Sequence, residues 1–268
     1  MTQQVDMLLA QEVSIQFGGL TALDKVSIEV KRGEVFGLVG PNGAGKTTLL
    51  NAVSGVFTLS HGRVIFEGTD ITSVPLHRRA AIGIGRTFQG VELFAELNVQ
   101  DNLMVGRHHL LRTGVLSGGF FIGRAKREEI EHRRRVEEMI EFFELERYRK
   151  QRVGTLAYGI QKIVGIARAL CTEPRLLLLD EVASGLNRDE KEDLARFLLR
   201  VKHSLGVTMI WVEHDIRMVS DLADHVAVLN YGKLVQKGET REVLRSPEVR
   251  RVFIGGSEHG DEPALVRA

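Results

Sequence analysis

The 268-residue chain has a single cysteine, Cys171, so no intrachain disulfide can form and a reducing compartment is expected. Cys171 ends the apolar run 166–171 and reads as a small core residue. Net charge is nearly absent: 36 Lys and Arg against 35 Asp and Glu leave +1. That balance gives no electrostatic reason to expect nucleic acid as a partner. Long apolar runs are missing as well. No stretch approaches the ~20 residues that span a bilayer, and the longest candidate, 113–123, is short and glycine-rich. Residues 1–6 carry no basic segment leading into an apolar one, so no secretory signal is expected. No internal repeat is visible. With 43% hydrophobic and 26% charged residues, the chain suits one large domain or two small lobes around a substantial core.

What the chain does have is a complete phosphate loop, Gly40-Pro41-Asn42-Gly43-Ala44-Gly45-Lys46-Thr47-Thr48. The buried strand expected over 34–39 and the helix expected from Thr47 give it the strand–loop–helix context that separates it from a glycine turn beside a lysine. Its glycines, Gly43 and Gly45 among them, let backbone N–H groups from Asn42 to Thr48 turn toward a polyphosphate, at which the helix also points its positive end. Lys46 would reach the β- and γ-phosphates, and the Thr47 hydroxyl would ligate Mg²⁺.

Around this loop the patterning changes along the chain. Val13, Ile15 and Phe17, then Val26, Ile28 and Val30, alternate as two strands of a small antiparallel sheet punctuated by Gly18-Gly19, and 63–66 gives another strand. From Glu92 to Leu156 the signal is mostly helical. A helix over 126–150 would place Ile130, Val136, Met139, Ile140 and Phe143 on one face, with a solvated charged face opposite. Apolar runs at 175–179, 207–212 and 226–229 read as strands buried on both faces of a parallel sheet. Helices are expected between them, over 188–205 and 216–224. The implied architecture is an α/β P-loop core of mixed sheet, with an amino-terminal antiparallel β subdomain and an inserted helical subdomain. Residues 1–90 and 157–254 would form the core, 91–156 the helical subdomain and 255–268 a poorly ordered tail.

Two carboxylates, Asp180 and Glu181, follow the strand at 176–179, and ligands gather at the carboxyl ends of parallel strands. Asp180 would hold Mg²⁺ and Glu181 would polarise the attacking water. Alone, the pair would more often cap the next helix; paired with the Lys46 loop, it favours catalysis. His214 ends another strand and can donate to a γ-phosphate oxygen, although a lone histidine would more often be a cap or a surface residue. Gln89 ends a strand before the helical segment, where it could bind Mg²⁺ or the lytic water. Residues 156–161 open a helix at Gly159 and offer a second anion-binding device. One active site needs only one such device, so a dimer that sandwiches nucleotide between one chain's loop and the other's helix start is expected.

The phosphate loop, Gln89, Leu156-Ala157-Tyr158-Gly159-Ile160-Gln161, Asp180-Glu181, Ser184-Gly185-Leu186-Asn187 and His214, in that order, resemble an ABC transporter ATPase subunit from about Leu8 to Gly255. Residues 17–23, 86–94 and 101–106 resemble the branch that imports branched-chain and other hydrophobic amino acids. The resemblance implies ATP and Mg²⁺ as cofactors, Phe17 stacked on adenine, and Tyr158 and Gly159 presented to the opposed nucleotide. It implies permease subunits seated on the lobe after Gln89, and a homodimer or a heterodimer with a paralogous ATPase. A periplasmic solute-binding protein would be an indirect partner, and the chain would sit on the cytoplasmic face of the membrane. Four residues depart from the usual pattern. Ala157 replaces a serine, Ile160 a glutamine and Gly165 a glutamate, and Val182 stands where a proline would stiffen the turn after Glu181. These put the rate and tightness of ATP-driven closure in question. Two other functions fit parts of the pattern: a soluble ATP switch acting on a macromolecular assembly, and a nucleotide-binding subunit that does not hydrolyse.

Overall fold

The computed structural model describes residues 6–87, 92–110 and 124–254. Its first sheet comes from the alternating amino-terminal residues. Strands β1 (Asp6–Phe17) and β2 (Leu20–Lys31) pair antiparallel, and β4 (His61–Phe66) and β5 (Thr69–Asp70) extend the sheet in the order β2-β1-β4-β5. Val13, Ile15, Val26, Ile28 and Val30 turn inward and are buried. Phe17, at the end of β1, stays 47% exposed.

The second sheet has the order β10-β9-β3-β8-β7-β6. At its centre lies β3 (Val35–Val39), parallel to β8 (Thr208–Val212) and β9 (His225–Asn230). β7 (Leu176–Asp180) and β6 (Ile84–Arg86) continue it in parallel, while β10 (Lys233–Glu239) closes the other edge antiparallel. The apolar runs are buried on both faces, as their composition predicts. Leu176 and Leu178 join the core shared with the first sheet and helix α1 (Lys46–Ser54), whereas Leu177 and Leu179 face the core built by the helical segments. The phosphate loop, between β3 and α1, therefore leaves the carboxyl edge of the central sheet.

Arg79, in helix α2 (Leu76–Ala81), holds the far end of α1. Its buried guanidinium donates to the carbonyls of Ala52, Val53 and Ile71, satisfying acceptors left open where the helix stops. With no carboxylate partner among the described residues, burial lowers its pKa to about 10.

Between β6 and β7 the described residues are mostly helical, with α3 (Val99–Gly106), α4 (Arg124–Phe142) and α5 (Tyr158–Leu170). α4 is shorter than the pattern predicts. Glu144 adopts φ +57, which ends the helix and turns Phe143 and Leu145 into the core. Val136 and Ile140 are buried as expected, but Ile130 is exposed. It lies six residues nearer the helix start, about 9 Å along the axis and past the edge of that core. α6 (Arg188–Arg200) opens with a capping box between Asn187 and Glu190, and its helical pattern runs on through a π turn, Val201–Leu205. α7 (Ile216–Leu222), α8 (Thr240–Arg245) and α9 (Pro247–Ile254) complete the described chain. The tail expectation for 255–268 lies outside the described residues.

Candidate active site

A cavity of about 550 Å³ opens at the carboxyl edge of the central sheet. The phosphate loop from Asn42 to Thr48 forms its floor, and Phe17, Glu181 and Tyr231 stand around it. Gly45, at φ +98, takes a conformation that L side chains rarely adopt, and a Cβ there would meet the Ala22 carbonyl at 2.9 Å. Lys46 is buried, and its Nζ donates to the loop's own carbonyls, Gly40 O at 2.8 Å and Pro41 O at 2.9 Å. Burial lowers its pKa, while Glu181 and Asp180 act in the opposite direction. A lysine stapling its loop in this way holds an ammonium where a polyphosphate would exchange for those carbonyls.

Asp180 is 1% exposed, and its two oxygens have different partners. Oδ1 lies 3.4 Å from the Thr47 hydroxyl, which donates to it, and Oδ2 lies 3.3 Å from Arg86 Nη2. Burial raises the Asp180 pKa, with Arg86 opposing the rise and Glu181 adding to it. The Thr47 hydroxyl and the Asp180 carboxylate are hard oxygen donors that fit Mg²⁺. No group of three or more His, Cys, Asp or Glu residues suited to a metal occurs among the described residues. A divalent ion here would therefore draw further oxygens from the ligand's phosphates.

Glu181 takes φ +49, an uncommon conformation for a non-glycine residue. Its N–H donates to Val212 O and its carbonyl accepts from Ser184 N–H, which turns the chain sharply after β7. The side chain reaches His214, with Oε1 2.5 Å from Nε2. Glu213 sits beneath this pair, buried, accepting from the Ala183 N–H at 2.9 Å and the His214 N–H at 3.2 Å. Burial raises its pKa, and those two N–H bonds pull the other way. The turn that lacks proline at Val182 is thus fixed by Glu213 and by burial of Val182 and Ala183.

Tyr158 and Gly159 do not line this cavity. They begin α5 elsewhere, against the start of α6: a Cβ on Gly159 would meet Glu190 Oε1 at 2.4 Å, and one on Gly185 would meet the Tyr158 ring at 3.1 Å. Ala157 stands at the N-cap and makes no side-chain cap bond. Gln89 lies outside the described residues.

Sequence reasoning missed the roles of Arg86, Glu213 and Tyr231. Arg86 meets Asp180, and Glu213 meets the Ala183 N–H, each far along the chain. Tyr231, 86% exposed at φ +45, is signalled only by Gly232, which follows it in a turn.

Residues 23–184 match the family model described as ABC transporter. The high-affinity branched-chain amino acid transport ATP-binding protein BraF of Pseudomonas aeruginosa is 36% identical over 243 residues, covering 91% of this chain and 95% of that protein. The corresponding Escherichia coli protein, LivG, is 33% identical over 249 residues, covering 93% and 98%. The crystal structure of the ADP conformation of MJ1267, an ATP-binding cassette of an ABC transporter, is similar with a TM-score of 0.81 and 33% identity, covering 93% of this chain and 99% of that one. A dimeric structure of the cassette MJ0796 in a post-hydrolysis state, bound to ADP and Pi, gives a TM-score of 0.73 at 25% identity, covering 88% and 99%. With this fold, this loop and these relatives, the chain belongs to the ABC transporter family as an ATP-binding subunit that hydrolyses ATP.

Proposed function

We propose that this subunit drives a membrane importer for branched-chain or closely related amino acids. The solute is taken from the names of the relatives BraF and LivG. The observation that carries the mechanism is the meeting of Lys46 and Thr47 with Asp180 and with the Glu181–His214 pair, while Tyr158 and Gly159 lie outside their cavity.

Phe17 stacks on adenine, and loop N–H groups from Asn42 to Thr48 with the Lys46 ammonium bind the phosphates. Thr47 and Asp180, with Gln89, would hold Mg²⁺, which would supply positive charge to the phosphates. Glu181 accepts a proton from water as its oxygen bonds to the γ-phosphorus; the bond to the bridging oxygen breaks, giving ADP and phosphate. His214 orients the Glu181 carboxylate and can donate to a γ-phosphate oxygen. Tyr158 and Gly159 close on the nucleotide of a second chain, either a copy or a paralogous ATPase. Residues 91–156 form a lobe between core segments 1–90 and 157–254, and it receives the permeases on the cytoplasmic face of the membrane. No described helix is long and apolar enough to cross a membrane itself.

Glu181→Gln tests this reading. The variant should bind ATP as the parent does, lose turnover by about a hundredfold or more, and elute as an ATP-dependent dimer on sizing. Turnover at the parental rate would remove Glu181 from the chemistry.

A further inference from the structure

Arg86 ends β6, one strand outside β7, and its side chain is 9% exposed. One arm of its guanidinium, Nη2, meets Asp180 Oδ2; the other, Nη1, donates to Ser54 Oγ at 2.7 Å. Ser54 is the last residue of α1, the helix that begins with Lys46 and Thr47. Asp180 is therefore tied to both ends of one helix: Oδ1 to Thr47 in its first turn, and Oδ2 through Arg86 to its last residue. Rotating the carboxylate would break one tie or the other. A planar fork meets the two acceptors with a separate nitrogen for each, whereas an ammonium would have to reach both from one. Glu92 also acts on Arg86, and Glu92, Arg168, Lys162 and the side-chain-free Gly165 line the small cavity on its other side.

We infer that Arg86 is a positioning residue for the metal-binding carboxylate, engaging Oδ2 so that Oδ1 stays aimed at Thr47 and the bound cation. The inference rests on the reading of Asp180 as an Mg²⁺ ligand. It extends the ATP site by a third layer, from the cation through Asp180 to a buried arginine.

The test is a comparison of nucleotide affinity in Mg²⁺ and in EDTA, measured on the full chain with a fluorescent ATP analogue. The ratio of the two affinities is the gain due to the metal. Arg86→Met should shrink that gain about tenfold, the usual cost of removing a partner behind a metal ligand, while affinity in EDTA stays near the parent's. Arg86→Lys should recover only part of it, and Ser54→Ala should give a smaller loss of the same kind. Asp180→Asn is the control and should abolish the gain. If Asp180→Asn abolishes it and Arg86→Met leaves it whole, Arg86 has no positioning role. An equal loss in Mg²⁺ and EDTA would make Arg86 structural only. A gain that survives Asp180→Asn would overturn the metal reading of Asp180 and the inference with it. Should Arg86→Met fail to fold, Ser54→Ala carries the comparison, and an unchanged gain in that variant would count against the inference.

Discussion

His132 on α4 accepts a hydrogen bond at Nδ1 from Arg107 Nε, 2.8 Å away, and can do so only as the neutral ring. Burial is the main cause that lowers its pKa; Arg107 adds to this, while Glu128 and Glu173 favour the charged form. The unfolded chain takes up a proton near pH ~6.5 and the folded one resists it. This contribution is therefore complete above that pH and is lost as pH falls through the window toward the lowered folded value. His132→Gln keeps an acceptor for Arg107 without titrating. Its urea midpoint should fall less steeply than the parent's between about pH 7 and 5.5, and an unchanged slope would assign the pH dependence elsewhere. At this scale Lys46, Thr47, Asp180, Glu181 and His214 were legible because each follows or precedes a strand that can be read from its apolar run. The Arg86–Asp180 contact joins residues 94 apart, and nothing local to either announces it.

Gly165 sits in α5, where an added Cβ would find no heavy atom within 4 Å. Glycine in a helix interior costs about 0.5–1 kcal/mol relative to alanine. Gly165→Ala should therefore raise stability by about that amount and Tm by about 1–4 °C, measured by thermal unfolding. A drop instead would show that the space beside Arg86 and Arg168 is needed. Elements were legible where composition alone decides them: β3, β7 and β8 are five-residue runs buried throughout. The end of α4 was not, because Glu144 supplies the left-handed turn without being a glycine. Nor were β5, two residues long, and α2, whose role is to carry Arg79 to the end of α1.

For the whole molecule, the separation of Tyr158 and Gly159 from the phosphate-loop cavity makes a mixing experiment decisive. In a Glu181→Gln background, neither Lys46→Ala nor Gly159→Asp chains should dimerise with ATP. Their equimolar mixture should dimerise and hold about one nucleotide per pair. A mixture that stays monomeric on light scattering would mean the site is not shared between chains. Within one chain the two sheets are joined by backbone at the cavity floor. Gly232 N–H donates to Ala44 O, Asp24 N–H donates to Gly232 O, and the Ala22 carbonyl crowds both Gly45 and Gly232. Phe17 rides on the first sheet and the phosphate loop on the second, so this three-way junction works as a gauge block between them. It fixes the span from ring to loop before any ligand arrives; under the proposed stacking of adenine on Phe17, a base on a longer or shorter tether would miss one of its two seats.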